Sequence, residues 1–573
     1  MYKLSAKKLH KPFSNKIDEG NFFYYVKKVL QADKPIFITA ITYGVIISIL
    51  SLATPICVQL LINSVAFTAL FQPILVLGFI LLILVGLYGL ANILQFHVSE
   101  IFQRRFFARM GYEVGMSLLN ANHRDFEEAN QTELVNRFFE TMAIQKTIPK
   151  LLNKTFTTFF QSIISLLLIA CYHPFFLVFT IGIPFAVYVV WKTSASKAIE
   201  HQVIESRRKY DLIGWFEDIA RNHLLFKSST GRDYAKYKID FITGLYLEER
   251  KKHFRYLFRQ VISLFILYAL ATTLLLVLGG WLFLKGQLSL GQLVASELII
   301  SAILYNIATL GRDFENFYDL IASSEKLSQF QNIPRDHKKN QEVDEVINEV
   351  CFERVLYRQG ICDFQFDLNF LKGKNYLLFT NGYSTKKIII EMLLGLTQPI
   401  SGMIAINTKN LNDLDAYQLR SQIAVIDNSP FIEGTLREYL TFNHENISQN
   451  YIMIVLENVG LAQTILNHSE GIDLRILPNG WPFSESEKIL LKIARALIHK
   501  PQIIIADEVL DMLAEKIRQK VLTYLTLEHR GMFLYFSHRY DNLDSFENKI
   551  FIEKNFSKNI NDLNDLNQFI EGQ

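Results

Sequence analysis

Two successive lysines, Lys386-Lys387, open a helical run that follows the apolar, strand-like stretch Tyr376–Phe379. Cations at a helix N-terminus add to the backbone N–H groups there and attract an anion. A second strand-like stretch, Ile503–Ala506, ends in the acidic pair Asp507-Glu508, and a third, Phe533–Phe536, ends in Ser537-His538. Another carboxylate, Glu297, sits inside a long apolar stretch. Ionisable groups in such places are costly and often functional; the plainer alternative is a carboxylate that faces water near the outer end and binds nothing specific. Cys57, Cys171, Cys351 and Cys362 are scattered, with the spacing of neither a zinc site nor a disulfide framework. A net charge of only +3 gives no reason to expect nucleic acid as a partner.

The elements that must position these groups fall into two halves. Half of the 573 residues are hydrophobic, and the mean hydropathy is +0.17, which is unusually apolar for a soluble chain. Before about residue 310 the apolar residues form long uncharged runs; after about 350 they form short ones. A spanning helix needs about 20 apolar residues to cross roughly 30 Å of hydrocarbon. Six stretches qualify: Ile36–Val65, Pro73–Leu94, Phe156–Tyr172, Phe175–Trp191, Val261–Phe283 and Gln292–Leu310. Pro55 and Pro184 lie inside spans as tolerable kinks. The third and fourth spans make a tight hairpin at Tyr172-His173-Pro174.

Basic residues crowd the segments near 96–154 and 193–259, whereas among the three opposite loops only Lys285 is charged. The bias predicts that both segments and both termini are cytoplasmic. The first twenty residues, with Lys3, Lys7, Lys8, Lys11 and Lys16, lack the apolar core of a signal peptide. The first span is therefore expected to insert uncleaved. Phe102, Phe106, Met110 and Val114 recur at helical spacing, so the spanning helices are expected to continue into the cytosol. They should turn back near Asn122–Glu133 and Glu217–Thr230.

Six spans with two long cytoplasmic hairpins resemble the type I ABC exporter fold, whose hairpin tips press on a nucleotide-binding domain. The phrase Gly286-Gln287-Leu288-Ser289-Leu290-Gly291-Gln292-Leu293 before span six is also similar to that family. After a polar linker, strand-like and helical runs alternate from about 349 on, an α/β pattern. Here Pro501–Glu508 resembles a Walker B strand, His538 the family's switch histidine, and Ser401-Gly402 and Ala494-Arg495-Ala496-Leu497 further landmarks. The resemblance implies that Asp507 faces a magnesium ion, that Glu508 polarises the attacking water, and that His538 contacts the γ-phosphate of ATP. It also implies an adenine-stacking aromatic at Tyr357 and a Q-loop glutamine replaced by Asn428.

The phosphate-gripping motifs depart from the family. A Walker A loop reads G-x-x-x-x-G-K-[ST]; the corresponding stretch is Phe379-Thr380-Asn381-Gly382-Tyr383-Ser384-Thr385-Lys386-Lys387. Counting back from Gly395 puts Lys386 on the lysine, Thr380 and Thr385 on the glycines and Lys387 on the magnesium hydroxyl. Counting forward from Asn381-Gly382 puts Thr385 on the lysine instead, as if the loop carried an insertion. Threonine disfavours the positive φ that glycine allows, so weak ATP binding, or binding without normal magnesium, is expected. Gly382, Ser384, Thr385 and Lys386 are the candidate phosphate contacts. The signature LSGGQ falls on Phe483-Ser484-Glu485-Ser486-Glu487. Ser484 is kept, while Glu485 puts negative charge where a γ-phosphate would approach, at a cost of more than about 1 kcal/mol in a dry site.

The resemblance divides the chain into a membrane domain at 1–320, a linker at 321–348 and a nucleotide-binding domain at 349–573. It implies an exporter half in the lipid bilayer of an inner or plasma membrane, coupling ATP to substrate movement and working as a homodimer or with a second ABC half. The alternative is a catalytically inactive ABC-like membrane protein with a regulatory or assembly role.

Overall fold

A computed structural model describes residues 22–560 apart from 69–70, 129–130, 337–340, 381, 445, 540, 542–544 and 555. The N-terminal lysines Lys3 to Lys16, and Asn381 of the phosphate-loop stretch, lie outside the described residues. The chain forms two compact units, Met1–Arg335 and Asp336–Gln573.

The first unit is helical. Its elements are α1 (Phe22–Leu30), α2 (Lys34–Leu50), α3 (Ala53–Thr68), α4 (Phe71–Leu119), α5 (His123–Glu128), α6 (Gln131–Asn136), α7 (Glu140–Lys150), α8 (Thr157–Tyr172), α9 (Leu177–Arg221), α10 (Ser229–Leu284) and α11 (Leu290–Gln331). Six helical stretches among the described residues are long and apolar enough to cross a membrane. At 1.5 Å per residue the 49-residue α4 and the 56-residue α10 are about 74 and 84 Å long. Each is more than twice the depth of a bilayer core, so both run far beyond it.

The first span is two helices rather than one kinked helix. It breaks at Ser51-Leu52, just ahead of Pro55. Proline has no N–H to offer the carbonyl four residues back, and its ring crowds that carbonyl, which here belongs to Ser51. Pro184, by contrast, sits within an unbroken α9. A π-helical segment, Leu151–Phe156, follows Pro149 of α7 and leads into α8. In the turn before α11, Gly286 takes φ +69°. On the helix itself, Gly291 leaves room that a Cβ would fill to 2.7 Å from the Gln59 carbonyl. These two positions account for the glycines of that phrase. Glu297 is half-buried and accepts a 2.8 Å hydrogen bond from Ser301 one turn on.

Beyond the apolar spans the long helices are tied together by buried ions. Glu140 of α7 accepts hydrogen bonds from Tyr210 (2.8 Å) and Ser323 (2.6 Å), and Lys326 Nζ stands 3.6 Å away. Lys326 donates to the Ser206 carbonyl at 2.9 Å and lies 3.6 Å from the centre of the Tyr210 ring. Next to this group, His253 and Arg250 of α10 meet Glu205 of α9 at 3.1 and 3.3 Å. Burying charges is tolerable only when they are paired and hydrogen-bonded. These pairs lock α7, α9, α10 and α11 in one register.

The second unit is α/β. In chain order it contains β1 (Glu349–Gln359), β2 (Cys362–Leu371), β3 (Asn375–Thr380), α12 (Tyr383–Leu393), β4 (Ser401–Ile406), β5 (Lys409–Asn410), α13 (Ala416–Ser421), β6 (Ile423–Ile426), β7 (Gly434–Thr435), α14 (Leu436–Thr441), α15 (Gln449–Val459), α16 (Ala462–Leu466), β8 (Arg475–Ile476), α17 (Glu485–Ile498), β9 (Ile503–Asp507), α18 (Glu515–Glu528), β10 (Met532–Phe536), β11 (Asn548–Ile552) and β12 (Ser557–Asn559). An antiparallel sheet, β2-β1-β4-β5, and a six-stranded sheet, β12-β11-β3-β10-β9-β6, enclose the core. Strands β3, β9 and β10 run parallel, with Phe536 opposite both Leu378 and Asp507. Buried on both faces, they read as continuous apolar runs. Their carboxyl ends lie side by side, where open α/β sheets place ligands.

The last spanning helix continues to Gln331, so the first part of the 321–348 stretch is helical and belongs to the first unit.

Burial pushes the Lys326 ammonium down to about 7 from an ordinary 10.5, against the pull of Glu140. Between those values the folded chain binds fewer protons at this site than the unfolded one. Its contribution to stability therefore grows as pH rises from about 7 toward 10.5 and fades below that window. Lys326→Met should remove this upward slope in melting temperature across the same range; an unchanged slope would place its origin elsewhere.

Candidate functional site

The site is built where β3, β9 and β10 end. After Thr380, itself 7% exposed, the chain turns through Gly382 at φ +104° and enters α12. That backbone angle lies in the region side chains avoid, and glycine meets it without strain. Ser384 is exposed on the first turn, whereas Thr385 and Lys386 are buried at 1% and 2% exposure.

Lys386 reaches across to the end of β9. Its Nζ lies 2.6 Å from Asp507 Oδ1 and 2.8 Å from Glu508 Oε1. Lys386, and not Thr385, therefore faces the acidic pair. With Lys386 in that place, Thr380, Thr385 and Lys386 keep the spacing of the phosphate-loop motif, and no inserted residue is needed. Lys387 points elsewhere and pairs with Glu391 at 3.4 Å.

Burial raises the Asp507 carboxyl above its usual range even though Lys386 pulls the other way, and the charges of Glu508 and Asp427 add to the rise. Burial lowers the Lys386 ammonium, but Asp507 and Glu508 outweigh it, and the net shift is upward. Glu508 stands at φ +54°, an uncommon conformation for a residue with a side chain. Its Oε1 also lies 2.8 Å from His538 Nε2. The histidine is held from behind: Asp511 accepts from the His538 backbone N–H at 2.9 Å, from Ser537 Oγ at 2.9 Å, and from the Tyr535 hydroxyl. Lys386, Asp507, Glu508 and His538 are thus brought together as one chain of contacts.

Other expected residues stand apart. Tyr357 is 8% exposed and packs in the core among Val355, Phe364 and Phe366. Alternation along β1 turns it inward with Val355, so it offers no free ring to stack on a base, and that assignment is corrected. Asn428 is exposed, and the residue whose charge reaches Asp507 is its neighbour Asp427. Lys492 Nζ fixes that loop through the carbonyls of Asp427 (2.7 Å) and Ser429 (2.6 Å). Ser484 is the N-cap of α17, in a capping box with Glu487. Its hydroxyl donates to Glu487 Oε2 at 2.7 Å. Glu485 is 84% exposed and pairs with Lys488 at 2.8 Å.

Asp427 and Asp511 escaped the sequence reading. An acidic residue directly after the strand Ile423–Ile426 was the available signal for the first. Nothing local marks the second, because its partners are more than twenty residues away.

The cluster sets one ammonium against two carboxylates, so Lys386 could meet a phosphate chain and Asp507 a divalent ion. The single ammonium of Lys386 pairs with both carboxylates, and Lys387, next along α12, pairs with Glu391. No group of three or more His, Cys, Asp or Glu side chains with metal-ligand placement occurs among the described residues.

Residues 366–511 match the ABC transporter family model. The uncharacterized ABC transporter ATP-binding protein YknU of Bacillus subtilis is 26% identical over 244 residues, 41% of either chain. The ABC multidrug transporter mdr2 of Aspergillus fumigatus is 24% identical over 266 residues, 45% of this chain and 33% of that one. The alignments thus span one third to two fifths of these relatives' lengths. The whole fold is similar to a solved bacterial Atm1-family ABC exporter with ATP bound, with a TM-score of 0.79 and 17% identity over 94% of this chain and 96% of that one. The chain has the ABC exporter fold, with a six-span transmembrane domain fused to an ABC-type nucleotide-binding domain.

Lys386→Met should leave Asp507 beside Glu508 without a cation and raise its pKa further. A carboxyl raised in the folded state contributes stability that is whole below the ordinary value of 3.8 and is lost as pH rises through the folded value. The variant should therefore lose melting temperature more steeply than the parent as pH rises above 3.8. Parallel pH profiles would show that the two groups are not coupled.

Proposed function

We propose that this chain is one half of an ABC-type exporter that binds ATP weakly, without the usual magnesium coordination, and works with a second half. The observation that carries the reading is the contact of Lys386 with both Asp507 and Glu508. It keeps a phosphate-seeking cation within reach of a water-polarising carboxylate. An incoming phosphate chain has to compete with those carboxylates for Lys386, which weakens binding. Once Lys386 turns to phosphate, Asp507 and Glu508 are uncovered, and His538 stays positioned through Asp511.

In this reading Gly382, Ser384 and Thr385 bring backbone N–H groups to the phosphates, while Lys387 adds positive charge instead of a metal ligand. Ser484 and Glu485 meet the nucleotide of the partner, a second copy or a different half. Glu485 disfavours the γ-phosphate there. The six spans carry the transported substrate. The basic cytoplasmic flanks put both termini inside, in an inner or plasma membrane. Residues 1–320 form the membrane domain and 349–573 the nucleotide-binding domain.

The test is magnesium-ATP binding and vanadate-sensitive hydrolysis by the purified chain in lipid, alone and with candidate partner halves. Hydrolysis should be detectable, and Glu508→Gln should lower it by about a hundredfold or more, the scale of a lost general base. Absence of nucleotide binding under every condition would sink the exporter reading and leave a catalytically inactive assembly role. Full activity in Glu508→Gln would mean that another group activates the water.

A further inference from the structure

Where the long helices continue past the spans, one carboxylate has no cation of its own. Arg250 of α10 is shared by Glu205 of α9 and Glu315 of α11, at 3.3 and 3.2 Å. His253 Nδ1 stands 3.1 Å from the other oxygen of Glu205. Asp319, one turn after Glu315 and beyond Thr309 where the last span ends, has no ion-pair partner among the described residues. Its Oδ1 accepts a hydrogen bond from Nε2 of Gln202 on α9. Gln202 is 7% exposed, and its Oε1 is buried without a hydrogen-bond partner.

Buried polar atoms are nearly always answered. An ionised carboxylate only accepts hydrogen bonds, and so does an amide oxygen. Beside an ionised Asp319, Gln202 can therefore satisfy its nitrogen but not its oxygen. A protonated carboxyl is a donor as well. It can accept from Nε2 with one oxygen and donate to Oε1 with the other, so that acid and amide answer each other. Turning the amide over does not remove the need. Oε1 would then face the carboxyl oxygen, a contact that only a proton makes favourable.

The surrounding charges favour the same proton. Burial, and then the charge of Glu315, raise the Asp319 carboxyl to about 6 from an ordinary 3.8. Glu205 adds to the rise, while His253 and Lys209 pull the other way. From α10, the Tyr246 hydroxyl donates to Glu205, and Arg250 is held between two carboxylates. Charges on other segments packed against α11 are engaged elsewhere. Lys28 of α1 donates to Asn332, Glu140 of α7 accepts from Ser323 and Tyr210, and Lys154 pairs with Asp313.

We propose that Asp319 and Gln202 form a proton-binding site outside the spans, which ties α9 to α11 when the proton is bound and loosens that tie when it leaves. Ionised Asp319 adds a third carboxylate to a cluster that holds one guanidinium and one histidine, so loss of the proton leaves Asp319 without a counter-charge and Gln202 Oε1 without a donor. A carboxyl raised in the folded state contributes stability that is whole below 3.8 and is lost as pH rises through about 6. That the looser state is the one that moves substrate rests on the exporter reading; the proton site does not.

The full chain in phosphatidylcholine nanodiscs, without nucleotide, is followed by infrared difference spectroscopy as pH is raised. A protonated-carboxyl band should disappear with a midpoint near 6 and be absent in Asp319→Asn. Hydrogen exchange in the peptides around Gln202 and Asp319, corrected for the intrinsic effect of pH, should speed up through the same midpoint. It should stay constant in Asp319→Asn, whose amide can pair with Gln202 at every pH. A band that persists in Asp319→Asn, a midpoint near the ordinary 3.8, or exchange that does not follow the band would overturn the proposal. If Asp319→Asn does not fold, Glu315→Gln decides. Removing that like charge should move the midpoint down, and an unmoved midpoint would overturn the assignment. Because no nucleotide is present, these outcomes leave the ATP reading untouched.

Discussion

The ammonium of Lys386 holds the nucleotide-binding unit's chemistry in place. Two carboxylates at the end of one buried strand repel each other and resist burial, and a cation from the start of α12 offsets both effects. That contact joins the helix after β3 to the end of β9. It leaves Glu508 near His538, and it pulls against the rise that burial imposes on the Asp507 carboxyl. In the proposed function the same contact is the barrier a nucleotide meets. In a site of this design the affinity for phosphate is a difference between two ion pairs, which is smaller than either alone.

The membrane unit follows a similar rule outside its spans. Glu140 and Lys326, and Glu205 with Arg250 and His253, sit between long helices where neither charge is tolerable alone. Each polar cluster fixes a helix register that apolar packing between Leu and Ile side chains would specify weakly. Several hydroxyls of the spans, those of Thr272, Thr273 and Ser296 among them, bond back to the preceding turn, whereas the buried Thr155 hydroxyl in the π-helical turn has no hydrogen-bond partner.

Much of this was legible in the sequence because it depends on one-dimensional pattern. Six uncharged runs and two basic segments gave the spans and the hairpins, and short apolar strands ending in Asp507 and in Ser537-His538 gave the sheet edge. The break at Ser51-Leu52 was not legible, because proline inside an apolar run tells of a kink or a break alike until the neighbours are known. Tyr357 was misread because period-two alternation fixes its face only relative to a core that the sequence does not display. Counting from two anchors left Lys386 and Thr385 open as the lysine position, and only the distance to Asp507 separates them. Asp511, Lys326 and the Thr155 hydroxyl depend on partners far along the chain or on a change of helix type, so no local signal announced them.

The central claim is that Lys386 is an internal counter-ion that nucleotide must win over, in a site where Lys387 takes the place of a metal-binding hydroxyl. Equilibrium ATP binding to the purified chain in lipid, with magnesium and with a chelator, tests it most directly. The account predicts weak binding that changes little when magnesium is removed. Tight binding that disappears with the metal would contradict it.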